Sequence, residues 1–235
     1  MTREYMDNLL NQLKDDVLIL ESMVREAVLN GVKALMTGDK KLSKQVIRGD
    51  QEINDKRFQI ENECLITIAT QQPMAGDLRT LASVLEIITE LERIGDYAKG
   101  IAKITKLTRN QEILPPLENL VPMAEISVDM LQKSVKAFVD GDVEAARVIP
   151  DRDDQVDDYF NKIYKGLVKY MVEDPDKIKL ANHLQWAAHN IERMADRVTN
   201  ICERTLFIQT GSIYQIEDFK DLDLDDDEVE IHDIN

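Results

Sequence analysis

Apolar residues recur along most of this chain at intervals of three and four residues, which is the spacing of amphipathic α-helices. Glycine, proline and aspartate residues interrupt the pattern at a few points. The uninterrupted stretches predict six helices, at residues 3–37, 40–71, 77–108, 118–140, 142–173 and 176–209. Most of these helices are far longer than the average of roughly 11–12 residues. The pattern therefore favours an all-α bundle.

The second three helices repeat motifs of the first three. Val32-Lys33-Ala34-Leu35 recurs 103 residues later as Val135-Lys136-Ala137-Phe138. Glu92-Arg93-Ile94-Gly95-Asp96 recurs 100 residues later as Glu192-Arg193-Met194-Ala195-Asp196. We therefore predict two tandem, pseudo-symmetric three-helix bundles at residues 1–112 and 117–210, followed by a flexible acidic tail at 211–235. A spectrin-like array with a bridging helix is the alternative, which the prolines between the halves (Pro115, Pro116 and Pro122) disfavour.

Composition supports the helical prediction and restricts the partners. Aromatic residues make up 5% of the 235 residues, which argues against a β-sandwich or barrel. The formal net charge is −16, and residues 216–235 hold ten acidic residues and one lysine. Nucleic acid is not an expected partner, because the chain has no basic stripe to neutralise phosphates. Such a surface would also repel free phosphate unless a bound cation reversed the local charge.

Cysteine usage and the absence of long apolar runs indicate the compartment. Cys64 and Cys202 lie singly within helical apolar patterns and are interpreted as buried free thiols in a reducing environment. The N-terminal residues have no signal-peptide core, and no run approaches the roughly 18 apolar residues of a membrane-spanning helix. We expect a cytoplasmic protein without direct membrane insertion. Trp186, the single tryptophan, is interpreted as a packing residue rather than a ligand platform.

The candidate functional residues are two carboxylate pairs at equivalent positions of the repeat. Glu92 and Asp96, like Glu192 and Asp196, are four residues apart, so that each pair lies on one helix face. The core-facing residues of the two helices are predicted to be Val84, Ile87, Leu91, Ile94, Ala98 and Ile101, and Leu184, Ala187, Ile191, Met194, Val198 and Ile201. Each pair lies at the edge of this apolar stripe. That position favours a contact or a site over a fully solvated face.

Antiparallel packing should add ligands from the preceding helix of each half. A turn near residue 75 places Asp96 opposite Asn54, with Asp50 one turn earlier. A turn near residue 175 places the second pair opposite a run of aspartates at positions 153, 154, 157 and 158. The predicted metal ligands are Asp50, Asn54, Glu92, Asp96, Asp153, Asp157, Glu192, Asp196 and His189. The alternative for His189 is a half-exposed histidine with no ligand role, since the first half has threonine there.

Carboxylate clusters without cysteine favour hard cations. Magnesium, manganese, calcium and iron all fit, and zinc is left open. Di-iron oxidation chemistry is disfavoured because its bundle site uses Glu-x-x-His, a motif that this chain lacks. The chain also lacks Walker, dinucleotide-binding, zinc-protease and nucleophile-elbow motifs.

At these motifs the chain resembles the PhoU family of phosphate-uptake regulators. The residues that carry the resemblance are Gln72-Pro73-x-Ala75-x-Asp77-Leu78-Arg79, Glu92-Arg93-Ile94-Gly95-Asp96, Asp153-x-x-Val156-Asp157 and Glu192-Arg193-Met194-Ala195-Asp196. The resemblance covers residues 1–210 and implies two three-helix bundles with multinuclear metal clusters, iron first, at the acidic motifs. Asn54 departs from the pattern because an aspartate is common there.

The resemblance also implies a function. It points to a cytoplasmic negative regulator of phosphate uptake and phosphate-starvation signalling. Such a protein acts as an adaptor to the ATPase subunit of a phosphate ABC transporter and to a sensor histidine kinase. The sequence leaves the oligomeric state open, with a homodimer as one possible form. Two alternatives stay open: a metal-dependent enzyme for phosphoester hydrolysis or oxidation, and a structural bundle with solvated acids.

Overall fold

The computed structural model describes residues 3–108 and 113–212 of the chain. Its α-helices are α1 (Arg3–Thr37), α2 (Lys40–Gln71), α3 (Gly76–Leu107), α4 (Leu120–Asp140), α5 (Val143–Val148), α6 (Asp153–Glu173) and α7 (Ile178–Thr210). Short 3-10 helices lie at Pro115–Asn119, Ile149–Arg152 and Pro175–Lys177. The described residues contain no strand, which confirms the all-α prediction. Apart from Gly211 and Ser212, the predicted acidic tail lies outside the described residues.

The prediction of one helix at 142–173 is wrong, because this stretch divides into α5, a 3-10 helix and α6. Asp142 begins α5 by accepting a hydrogen bond from the Ala145 backbone N–H at 3.0 Å. The helix cannot continue through Pro150, which has no N–H and whose ring blocks the carbonyl of Ala146 four residues earlier. Consequently α6 starts at Asp153, whereas the equivalent α2 is continuous.

The core-facing stripes on α3 and α7 are confirmed, since all twelve predicted residues are 0–1% exposed. In the first half α1 packs on α2 and α3, and in the second half α4 packs on α6 and α7. The halves join through α3 against α7 and α1 against α4. One buried apolar cluster therefore runs through both halves. No helix within the described residues bridges the halves, because α3 ends at Leu107 and a 3-10 helix precedes α4.

Antiparallel contacts between α3 and α7 form the seam between the halves. Arg79 Nε donates to the Ile208 carbonyl at 2.9 Å near one end. Near the middle, Arg197 Nη1 lies 3.4 Å from Glu90 Oε2, and Glu90 is buried. These polar contacts fix the register of two helices that otherwise meet through apolar side chains.

Both cysteines are buried free thiols, as predicted. Burial raises the pKa of the Cys64 thiol to about 12, and it raises the pKa of Cys202 to about 12 as well. Neither side chain therefore supplies a thiolate as a nucleophile or metal ligand near neutral pH. Among the helices that the structure describes, none is long and apolar enough to cross a membrane.

Candidate functional site

The first acidic cluster consists of Asp50 and Asn54 on α2 and Glu92 and Asp96 on α3. The structure brings these side chains together around Lys99. Lys99 Nζ donates to Asp50 Oδ2 at 2.5 Å and lies 3.5 Å from Asp96 Oδ1. Asn54 Nδ2 donates to the same Asp50 oxygen at 3.3 Å. The buried Asp50 carboxylate is therefore already paired with a cation of this chain.

The electrostatics of the first cluster mix both signs of charge. Burial raises the pKa of Glu92, with a further increase from the Asp96 charge and an opposing effect from Arg57. The hydrogen bond to Asp50 raises the pKa of Lys99 and so holds its ammonium charge. Lys99 and Arg57 thus compensate much of the negative charge of the three carboxylates.

The second acidic cluster consists of Asp153 and Asp157 on α6 and Glu192 and Asp196 on α7. Burial raises the pKa of Asp153 to about 6, and the charges of Asp157, Asp196 and Glu192 add to the shift. The pKa of Asp157 is raised by burial and then by the Asp196 charge. The pKa of Glu192 is raised first by burial and then by the Asp196 charge, with His189 opposing the shift. The cluster therefore holds mutually repelling carboxylates.

Within the described residues, one oxygen of the second cluster, Asp153 Oδ1, is buried without a hydrogen-bond partner. Glu192 Oε2 is buried as well, and His189 Nδ1 lies 2.8 Å from it, at ion-pair distance. A buried carboxylate oxygen without a donor is costly unless a cation or water completes its shell. Among the described residues, no cation forms an ion pair with Asp153, so its Oδ1 is the oxygen that most needs a ligand.

The repeat explains why the clusters differ. At the offset of 103 residues, Phe160 stands where the first half has Arg57. At the offset of 100 residues, Thr199 stands where the first half has Lys99. The second cluster has thus lost both cations and, with Asp157 in place of Asn54, gained a carboxylate. Sequence reasoning missed Lys99 as a partner of the acids, although its position three residues after Asp96 puts it on the same helix face.

The donor set of the second cluster fits a hard cation, because it offers four carboxylates and one imidazole. Across residues 3–108 and 113–212, however, no group of three or more histidine, cysteine, aspartate or glutamate side chains is arranged to hold a metal ion. The carboxylates would have to turn toward each other to coordinate one ion. In the first cluster the Lys99 ammonium occupies the position next to Asp50 that a metal would need. The nine predicted metal ligands therefore stay a prediction.

The arginines of the two repeated motifs lie at the seam between the halves and not in the clusters. Arg93 Nη1 donates to Glu90 Oε1 at 2.6 Å. The Arg193 guanidinium lies over the Tyr97 ring, 4.9 Å from its centroid. In each Glu-Arg-x-x-Asp motif, the two acids therefore belong to an acidic cluster and the arginine belongs to the contact between the halves.

The interpretation of Trp186 as a packing residue is wrong, because its side chain is 54% exposed. Its ring lies edge-on to His189, with 6.2 Å between the ring centroids. Exposure of the single tryptophan beside the second cluster has no explanation in core packing.

Two tandem helical bundles, each with an acidic cluster shared between two neighbouring helices, define a class of duplicated all-α proteins, and comparison with known proteins identifies the family. The family model described as "PhoU domain" matches residues 17–105 and 120–205, one match in each half. The chain belongs to the PhoU family.

Individual relatives are similar over nearly their whole length. The "Phosphate-specific transport system accessory protein PhoU homolog" of Clostridium acetobutylicum is 31% identical, over 93% of this chain and 100% of that relative. The Aquifex aeolicus homologue is 34% identical, over 90% and 96%, and the Escherichia coli PhoU is 32% identical, over 88% and 86%. These relatives are named as accessory proteins and not as enzymes, so the enzyme alternative has no support.

Solved structures show the same fold. The PhoU regulatory protein of Streptococcus pneumoniae superposes with a TM-score of 0.83 at 29% identity, over 89% of this chain and 99% of that one. PhoU of Pseudomonas aeruginosa gives a TM-score of 0.82 at 29% identity, over 88% and 99%. The tandem bundle is therefore the fold of this family.

Proposed function

We propose that this protein is an accessory protein of a phosphate-specific transport system that negatively regulates phosphate uptake and phosphate-starvation signalling. The observation that carries this proposal is the match of the PhoU domain to both halves, together with relatives named for phosphate-specific transport. The protein acts in the cytoplasm as an adaptor, with the ATPase subunit of a phosphate ABC transporter and a sensor histidine kinase as partners.

The proposed role of metal rests on the second acidic cluster. Asp153, Asp157, Glu192 and Asp196 would hold a hard cation, with iron the leading candidate and a multinuclear cluster the proposed form. The raised pKa values of the first three indicate that their charges are poorly compensated. A bound cation would relieve this repulsion and supply positive charge on an acidic surface, which would allow an anionic group to bind there.

The test is capture of the two partners by the full chain, with and without chelator. We expect protein purified without chelator to carry metal and to bind the ATPase subunit and the kinase. Glu192→Gln combined with Asp196→Asn should remove most of the metal. Glu92→Gln combined with Asp96→Asn is the matched control in the first half and should remove less. Failure to capture either partner would refute the adaptor role, and metal-free protein with unchanged capture would refute the metal role alone.

A further inference from the structure

A pocket of aromatic rings opens beside the second acidic cluster. It has a volume of about 320 Å³ and is lined by Phe160 of α6 and by Gln185, Trp186 and His189 of α7; we call these four residues the aromatic pocket. The centroids of the Phe160 and His189 rings are 6.1 Å apart. Tyr164 extends the surface, stacked on Phe160 at 6.3 Å. The rings therefore form an open recess on one face of the second bundle.

The fold does not require these rings. The first half has the same helix pair, but the equivalent positions carry Arg57, Glu61, Glu86 and Thr89. Trp186 and Tyr164 are 54% and 43% exposed, so neither ring fills the core. A group of exposed aromatic side chains is a feature of binding surfaces more than of solvated helix faces.

The charge next to the rings specifies the ligand. His189 Nδ1 lies 2.8 Å from Glu192 Oε2, which places the Glu192 carboxylate at the edge of the aromatic pocket. Asp157 is three residues before Phe160, on the same side of α6. Aromatic faces attract cations through their quadrupole, and nearby carboxylates strengthen that attraction. A ligand that satisfies both features is flat and positively charged.

We propose that the aromatic pocket binds an arginine side chain presented by a partner protein. A guanidinium group stacks on an aromatic ring with its plane and directs its N–H groups to carboxylates, whereas an ammonium group supplies only a point charge. The chain already uses this contact internally, where Arg57 lies over Phe58 and Arg193 over Tyr97, each 4.9 Å from the ring centroid. The proposal concerns the metal-free second cluster, because a cation bound there would occupy the same carboxylates, and it does not rest on the proposed regulatory role.

The single tryptophan supplies a local signal for the test. The indole N–H resonance, and fluorescence excited at wavelengths longer than those that tyrosine absorbs, both report on Trp186 alone, since the chain has one tryptophan. The protein is titrated, in chelator, with the blocked peptide Ala-Arg-Ala-Arg-Ala. Matched peptides replace arginine by lysine or by citrulline, which keeps the shape of arginine without its charge. We expect a saturable response to the arginine peptide, weaker binding of the lysine peptide, and binding of the citrulline peptide that is about tenfold weaker or more.

Two variants distinguish binding in the aromatic pocket from non-specific attraction of a basic peptide to an acidic protein. Phe160→Leu should weaken the arginine peptide about tenfold while circular dichroism and melting temperature confirm that the chain folds. Phe58→Leu removes an exposed ring of the first half outside the pocket and should leave the affinity unchanged. An absent response, an equal response to the citrulline peptide, or an affinity unchanged by Phe160→Leu would each overturn the proposal.

Discussion

Asp50 and Asp153 occupy equivalent positions in the two halves, yet their surroundings are opposite. Asp50 accepts hydrogen bonds from Lys99 and Asn54, so that its charge is paired within the chain. Asp153 is repelled by the three other carboxylates of its cluster and by Asp154, and one of its oxygens is buried without a hydrogen-bond partner among the described residues. The same scaffold therefore holds one cluster that is largely neutralised and one that is not.

The comparison shows that two carboxylates at equivalent positions of a repeat can have different roles, because their neighbours differ. Paired charges in the first cluster contribute to the stability of the bundle, whereas repelling charges in the second cluster reduce it. Proteins tolerate such a local cost chiefly where a ligand or partner relieves it. The second half, which also carries the aromatic pocket, is accordingly the half that we expect to bind ligands.

The largest expected effect comes from giving the second cluster the lysine that distinguishes the first cluster from it. Thr199→Lys places an ammonium group three residues after Asp196, as Lys99 is placed after Asp96. We expect metal affinity to fall about tenfold or more, because the lysine competes for the same oxygens at a cost of roughly 1.4 kcal/mol per tenfold. Elemental analysis and metal titration measure the change.

The reciprocal variant, Lys99→Thr, is the matched test in the first half. It leaves the Asp50 carboxylate without its ammonium partner and should increase metal retention there. If Thr199→Lys kept the full metal content, the charge comparison between the clusters would be wrong.

The next effect is a loss of stability on neutralising the paired aspartate. Asp50→Asn removes the negative charge of the carboxylate that accepts a hydrogen bond from Lys99 in a largely buried ion pair. We expect the free energy of unfolding to fall by about 1–2 kcal/mol, because the ammonium loses its partner. Urea denaturation at pH 7.5 in chelator measures it. An unchanged midpoint would show that the pairing contributes nothing to stability.

The smallest expected effect is a gain in the free energy of unfolding on neutralising Asp153, and this gain depends on pH. Since the pKa of Asp153 is raised to about 6, the folded state holds its proton more tightly than the unfolded chain does. The wild-type protein therefore loses stability as pH rises from about 4 through 6. Asp153→Asn avoids this loss and should be more stable by about 1 kcal/mol above pH 7, after allowance for solvent screening.

The measurement is urea denaturation of both proteins in chelator from pH 4 to pH 8. The advantage of Asp153→Asn should shrink toward zero as pH falls to 4, because the folded-state carboxyl is then protonated and the unfolded-state carboxyl, whose ordinary pKa is 3.8, is partly protonated. A variant that is less stable than the wild type at pH 8 would contradict the view that the second cluster is uncompensated.

The spacing of apolar residues predicted most of the fold, because a helix that buries one face carries an apolar residue at every third or fourth position. Val84 and Leu184, for example, head stripes that are buried as expected. The apolar spacing continues across Pro150. The break between α5 and α6 could therefore be located only from proline, which has no backbone N–H to continue the helix.

The acidic residues could be placed on neighbouring helices from turn positions, and the structure brings each set together. Their charge state could not be obtained in this way, because it depends on Lys99, Arg57 and their absence from the second half. The exposure of Trp186 agrees with its position outside the predicted core stripe of α7, whereas the packing interpretation followed from its residue type alone.

The seam between α3 and α7 has a mechanical consequence. Glu192 and Arg193 are consecutive, so one helical turn carries both an acid of the second cluster and the guanidinium that rests on Tyr97. A rotation of α7 that moved Glu192 would also move the Arg193 guanidinium relative to the Tyr97 ring of α3. The second acidic cluster and a contact between the two halves are therefore held by the same turn of one helix.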